Sequence, residues 1–147
     1  RQVDLAALVE SVCADLDDLG EPVSWAGHDA APLCCRANEI RRAVRNLIEN
    51  AVAYGKKADV AIEETTDAYE VVVDDEGPGI PEADHNRVFE AFVRLESSRN
   101  EETGGSGLGL TLVKAIAEGH GGSVTLENRP QGGLRVRLHL PRDVKRA

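Results

Sequence analysis

The sequence contains no methionine and few aromatic residues: one Trp, two Tyr and two Phe, 3% of the 147 positions. Aliphatic side chains must therefore fill whatever core it builds. Positive charge is also short, with 17 Lys and Arg against 26 Asp and Glu and a formal charge of −9. A nucleic-acid groove needs a positive field to displace counterions, so the balance argues against nucleic acid as a partner. No apolar run approaches the roughly 20 residues of a membrane-spanning helix. Residues 1–9 lack the apolar stretch and cleavage site of a secretory signal. With no initiator methionine, the chain is expected to be a piece of a longer polypeptide.

Cysteine is sparse too. Cys13, Cys34 and Cys35 are odd in number and lack the spacing of a zinc site. Neighbours in an extended strand point to opposite faces, so Cys34 and Cys35 read as strand residues and not as a bridge. Reduced thiols in a cytosolic compartment are expected.

What is present is the composition of one globular domain, 1–147, with 41% hydrophobic and 29% charged residues. The spacing of Val3, Leu5, Leu8, Val9, Val12, Leu16 and Leu19 predicts a helix over 3–19 that Gly20 stops. Short strands are expected at 23–25 and 32–35. A stronger helix is expected over 38–54 from Ile40, Val44, Leu47, Ile48, Ala51 and Val52, with Gly55 as its C-cap. Strands follow at 58–65 and 69–74, the second ending in the β-branched run Val71-Val72-Val73 of a buried strand. Residues 75–106 are rich in Gly, Pro, Ser and charge, the profile of a lid or binding loop. A helix over 107–118 and a hairpin of 123–127 with 134–140 close the chain. Helices over one face of a mixed, mostly antiparallel sheet make an α+β two-layer sandwich the expected architecture.

Three segments look selected for chemistry. Asn46 and Asn50 are four apart and share one helical face beside the apolar stripe. Carboxamide oxygens suit Mg²⁺ that already carries water and phosphate, although surface Asn alone would explain either residue. Asp75-Glu76-Gly77-Pro78-Gly79-Ile80-Pro81 follows the apolar strand. A turn explains the glycines and proline there. It does not explain a carboxylate closing an apolar strand, where it can accept from an exocyclic amine such as adenine's. Gly104-Gly105-Ser106-Gly107-Leu108-Gly109-Leu110 opens a helix, and free amides at a helix N-terminus suit phosphate. A flexible hinge is the plainer explanation, and the two are compatible.

Taken in order, Asn-x3-Asn, Asp-x-Gly-x-Gly, a Phe-containing lid and Gly-x-Gly-x-Gly resemble the N, G1, F and G2 boxes of the Bergerat-type ATPases. The chain is most similar to the catalytic, ATP-binding domain of bacterial sensor histidine kinases, and the resemblance spans essentially its whole length. It implies that Asp75 binds the adenine amino group, with Gly77 and Gly79 shaping the pocket. Asn50 would coordinate Mg²⁺, with Asn46 near the phosphates. Phe89 and Phe92 match the F box, which anchors a lid over 82–104, and Arg94 and Arg99 match lid arginines that meet phosphate. Gly105, Gly107 and Gly109 would bracket the triphosphate, with Leu108 lining the pocket. Tyr54, Ile80 and Ser106 join the nucleotide-binding set.

Two positions depart from the pattern. Many relatives carry a lysine where this chain has Ala53, and neither Lys56 nor Lys57 has the usual spacing. Glu76 stands where Asn is frequent, adding negative charge. Both changes are expected to weaken nucleotide affinity without abolishing it.

The implied reaction is transfer of the γ-phosphate from Mg·ATP to histidine. His28, His85, His120 and His139 all lack the His-acid helix context of an acceptor, and His120 is read as a helix-end residue favourable as a cation. The acceptor is therefore expected on a missing dimerisation domain, with a response regulator acting afterwards. The fragment should bind nucleotide without autophosphorylating, as the cytoplasmic part of a membrane-anchored sensor that itself makes no membrane contact. Hydrolytic relatives place a glutamate where Asn46 stands, so slow ATP hydrolysis is expected. Glu49, the only acid in that box, either polarises the attacking group or is a solvated helix-face residue. An anti-sigma-factor serine kinase of the same fold and a nucleotide-sensing module without transfer are the alternatives.

Overall fold

A computed structural model describes residues 1–77 and 109–142. The chain starts with β1 (Gln2–Asp4) and passes without a loop into α1 (Leu5–Asp18). Asp4 makes that junction. Its Oδ1 accepts from the N–H groups of Ala6 (3.1 Å) and Ala7 (3.4 Å), which cap the helix, and from Ala31 N–H (2.9 Å). The expected helix from residue 3 is thus corrected: Val3 pairs with Leu33 in an antiparallel two-stranded sheet of β1 with β3 (Pro32–Cys34). A three-residue strand is too short to show a period of its own, so Val3 fell in with the helical stripe. At the other end Gly20 (φ 90°) stops α1 as expected. Gly20 N–H bonds to Asp17 O (2.9 Å) and Glu21 N–H to Leu16 O (3.0 Å), using carbonyls the helix leaves free.

The Asp4 carboxyl is held below its ordinary value of 3.8, chiefly by the Ala31 N–H bond. A depressed carboxyl stabilises the fold above its unfolded pKa, and that contribution is lost as pH falls through the folded value. Asp4→Ala is expected to cost about 1 kcal/mol at pH 7, or roughly 2–4 °C in melting temperature. The gap between the two melting curves should close as pH drops below about 4. A difference independent of pH would assign the loss to something other than the cap.

The main sheet has the order β2-β4-β5-β7-β6, comprising β2 (Val23–Trp25), β4 (Ala58–Glu64), β5 (Ala68–Asp74), β6 (Ser123–Asn128) and β7 (Leu134–Pro141). Only β2 with β4 is parallel; the other pairs are antiparallel. Along β7 the alternation is strict: Leu134, Val136, Leu138 and Leu140 are buried and Arg135, Arg137 and His139 are not. The buried face meets α1, α2 (Ala37–Gly55) and α3 (Gly109–Gly119) in one aliphatic core centred on Leu5, Ile40, Leu47, Ile48, Val71, Val73 and Leu138. This is the expected two-layer α+β sandwich.

The opposite face is charged. Arg137 meets Glu63 (2.6 Å), Glu70 (3.2 Å) and Glu127 (3.3 Å), while His139 bonds Glu70 (2.7 Å). Val72 sits among them at 4% exposure, flanked in register by Ala61 and Arg137. All three cysteines are free, Cys34 exposed and Cys13 and Cys35 buried, and burial pushes the Cys13 thiol up to about 11. No described helix is long and apolar enough to cross a membrane.

Candidate functional site

Asp75 is the one buried charged residue among those described, 7% exposed. It lies one position beyond β5, where the strand register ends and three elements converge. Its N–H donates to Leu134 O (3.0 Å), and its Oδ1 accepts from Leu134 N–H (3.0 Å) and Gly77 N–H (2.9 Å). Its carbonyl accepts from Arg129 Nη1 (2.6 Å). The neighbouring Asp74 carboxylate takes a two-pronged bond from Arg135, Nε to Oδ1 at 2.7 Å and Nη2 to Oδ2 at 2.9 Å. Two acids and two arginines thus meet at the end of β5, a local balance within a chain of net charge −9.

The last turn of α2 closes the site from the other side. A Cβ on Gly55 would stand 2.1 Å from Asp75 Cγ, and one on Gly77 would stand 2.7 Å from Tyr54 O. Gly55 is therefore a glycine because Asp75 packs on it. The expectation of Gly55 as a C-cap is corrected: it is the last helical residue, and Lys56 takes the positive φ of 75°. Lys57 N–H returns to Gly55 O (2.9 Å), giving a γ-turn of the strained, positive-φ kind at Lys56. Gly55 O also accepts from Glu76 N–H (2.9 Å), so one carbonyl ties α2, β4 and the segment after β5 together.

Upstream on α2, Asn46 and Asn50 are half-buried, one turn apart. Asn50 Nδ2 is buried and has no hydrogen-bond partner among the described residues. A buried amide donor left unmade costs free energy, so this side chain is suited to an acceptor that the described residues do not supply. Glu49 is exposed and paired with Arg45 (3.1 Å) along the helix. Lys57 Nζ lies 3.4 Å from both Asp59 and Glu76. Those acids, Glu76 first, hold the Lys57 ammonium above its ordinary pKa. The negative charge expected from Glu76 is therefore partnered.

Gly109 begins α3, which packs beside α2. Gly79, Ile80, Arg94, Arg99, Gly105, Ser106, Gly107, Leu108 and the F-box residues Phe89 and Phe92 lie outside the described residues, as does the lid over 82–104. Of the sequence-predicted site, the structure brings Asp75 against Gly55 and Gly77 against Tyr54 at the end of α2. It sets Asn46 and Asn50 along the same helix. Glu49 turns to solvent with Arg45.

The hairpin between β6 and β7 stands where it was expected, but sequence reasoning missed its contact with Asp75. Arg129 N–H bonds Gly133 O (2.9 Å) and Gly132 N–H bonds Arg129 O (3.0 Å), with Gly132 at φ 109° and Gly133 at φ 92°. A Cβ on Gly133 would stand 2.0 Å from Asp75 O. The paired glycines were legible as a turn, but no local signal connects them to a residue nearly sixty positions earlier. His120 lies at the end of α3, as expected. Its Nδ1 lies 2.9 Å from Ile116 O and its Nε2 accepts Arg36 N–H (3.1 Å), so the ring joins the end of α3 to the start of α2.

A family profile described as histidine kinase-, DNA gyrase B-, and HSP90-like ATPase matches residues 35–144. The sensor histidine kinase GtrS of Pseudomonas aeruginosa is 39% identical over 150 residues, covering 97% of this chain and 31% of that protein. The chain thus spans about a third of this curated relative. Among solved structures, the ATP binding domain of PrrB from Mycobacterium tuberculosis superposes with a TM-score of 0.78 at 31% identity, over 97% of this chain and 96% of that one. The histidine kinase domain of the E. coli osmosensor EnvZ gives 0.75 at 32% identity, over 100% and 91%.

Proposed function

The chain belongs to the histidine kinase-, DNA gyrase B-, and HSP90-like ATPase family, and on that premise we propose that it binds Mg·ATP and donates the γ-phosphate to a histidine on a separate dimerisation domain. The observation that carries this reading is Asp75. One carboxylate oxygen is committed to two backbone N–H groups, which leaves the other for an exocyclic amine of a flat base lying against glycine backbone.

Asn50 fits the polyphosphate end of the same ligand. Its buried Nδ2, unpartnered among the described residues, would meet a phosphate oxygen, and Oδ1 of the same amide would be a hard donor for Mg²⁺. When bound, the ion would neutralise charge on the β- and γ-phosphates. Asn46, one turn earlier, would lie beside the phosphates. By their places in the family pattern, Arg94, Arg99 and the Gly105–Gly109 stretch are assigned to the triphosphate, and the lid is assigned to 82–104. In the transfer, a neutral imidazole nitrogen attacks the γ-phosphorus, the bond to the bridging oxygen breaks, and ADP leaves. An amide at position 46 takes no proton from water, and Glu49 is paired with Arg45 in solvent, so water is a poor competitor.

The chain's own histidines are otherwise engaged among the described residues. His28 Nδ1 lies 2.7 Å from Asp29 O, His139 bonds Glu70, and both ring nitrogens of His120 are in use. The proposed setting is the cytoplasmic part of a membrane-anchored sensor kinase whose phosphohistidine serves a response regulator. Incubation with Mg·ATP labelled in the γ-phosphate, with and without a dimerisation domain supplied as a separate polypeptide, tests the proposal. Acid-labile label should appear on that domain and not on this chain. Label on this chain alone, or rapid release of phosphate without an acceptor, would refute the transfer reading.

A further inference from the structure

Among the described residues, three of the four hydrogen bonds that hold Asp75 come from the hairpin that follows β6. We infer that Arg129 is a positioning residue that orients Asp75 toward a 6-amino purine, and that the hairpin thereby contributes to discrimination against 6-keto purines. This rests on the reading that Asp75 receives the base.

Arg129 is buried at a cost. Its side chain is only 13% exposed, and its Nε is buried without a hydrogen-bond partner among the described residues. Burying a guanidinium with a donor unmade is unfavourable and needs a compensating interaction. Asp74 does not require it, because Arg135 already engages both Asp74 oxygens and Arg129 Nε stands 3.9 Å away. The short bond Arg129 does make is to the Asp75 carbonyl, at 2.6 Å.

That carbonyl belongs to the peptide joining Asp75 to Glu76. Fixing its direction fixes the path of the chain to Gly77, whose N–H grips Asp75 Oδ1. Leu134 N–H grips the same oxygen from the hairpin side, and Gly133 backbone comes close enough to Asp75 O to forbid a side chain. The carboxylate is thus held at one oxygen from both sides, and its other oxygen has a set direction. A carboxylate oxygen accepts and does not donate. It suits an amino group at position 6 and leaves a carbonyl there unmatched, the kind of mismatch that discriminates most strongly in a desolvated site.

The test measures Mg·ATP, Mg·inosine triphosphate and Mg·tripolyphosphate binding to wild type, Arg129→Met and Arg129→Lys, with melting curves for each. Arg129→Met should weaken ATP about tenfold and reduce the ATP-to-inosine ratio at least threefold, leaving tripolyphosphate unchanged. Arg129→Lys keeps the charge but not the planar fork and should fall between the two, with the ratio reduced at least twofold. If Arg129→Met does not fold, the lysine variant alone decides, and a ratio equal to wild type overturns the inference. Equal weakening of ATP and inosine triphosphate would mean a merely structural role and overturn it as well. If wild type itself shows no preference for ATP, the base-binding role of Asp75 falls together with this one. A wild-type preference that survives Arg129→Met sinks the role of Arg129 alone.

Discussion

Asparagine in place of Asp75 is expected to weaken Mg·ATP binding roughly 10- to 100-fold while leaving the protein folded. The amide oxygen can still accept from Gly77 and Leu134 N–H, so the local structure favours the rotamer with oxygen at the Oδ1 position. The amide nitrogen then occupies the remaining position and presents a donor to the donor on the base. A charged hydrogen bond worth about 1.5–3 kcal/mol is lost, and a donor–donor contact replaces it. Titration calorimetry with Mg·ATP is the direct measurement, with a melting curve beside it. Affinity within threefold of wild type, in a protein that melts normally, would remove Asp75 from base recognition. Inosine triphosphate should lose less than ATP in this variant, because the amide nitrogen now faces a carbonyl.

The second large effect runs against helix propensity. Gly55 ends α2, where alanine is favoured over glycine by up to about 1 kcal/mol in a helix interior. On that ground alone Gly55→Ala should stabilise the protein. The packing outweighs it. The new methyl carbon would stand 2.1 Å from Asp75 Cγ, 2.4 Å from its Cβ and 2.5 Å from Oδ1, distances that no small adjustment relieves. Overpacking of this kind costs about 1–3 kcal/mol. Asp75 must also yield, and its bonds to Leu134 and Gly77 yield with it. The expected outcome is a lower melting temperature together with an ATP affinity at least tenfold weaker. A variant that melts higher than wild type would show that propensity, not the contact, governs this position.

Gly55 also marks where sequence reasoning stops. Its place after an apolar helical stripe made a C-cap the obvious role, and α2 does end there. Its function depends on a carboxylate twenty positions later, a relation that helical periodicity does not encode. The long elements were legible because their burial pattern is their sequence pattern: Ile40, Val44, Leu47, Ile48 and Ala51 are all buried along α2, and β7 alternates without a break. β1 was not legible, since three residues carry no period and their partner lies about thirty positions away. The same holds for the site. Asp75 could be singled out because a carboxylate closing an apolar strand has no packing rationale. Arg129 could not, because an arginine beside a glycine-rich turn looks like any other exposed hairpin residue until the fold buries it.

The charged outer face of the sheet bears on the placement of Asp75 from a distance. Because Asp75 directly continues β5, its location relative to Leu134 is set by how β5 and β7 are aligned, Asp74 opposite Arg135 and Glu70 opposite His139. Sliding one strand by a single two-residue step would preserve the inward-facing aliphatic pattern and carry Asp75 about 7 Å along the strand axis. The aliphatic core tolerates that step. The Asp74–Arg135 fork and the Glu70–His139 pair do not, so the polar exterior works as a vernier that keeps the two strands in the one phase where Asp75 meets both Leu134 and Gly55.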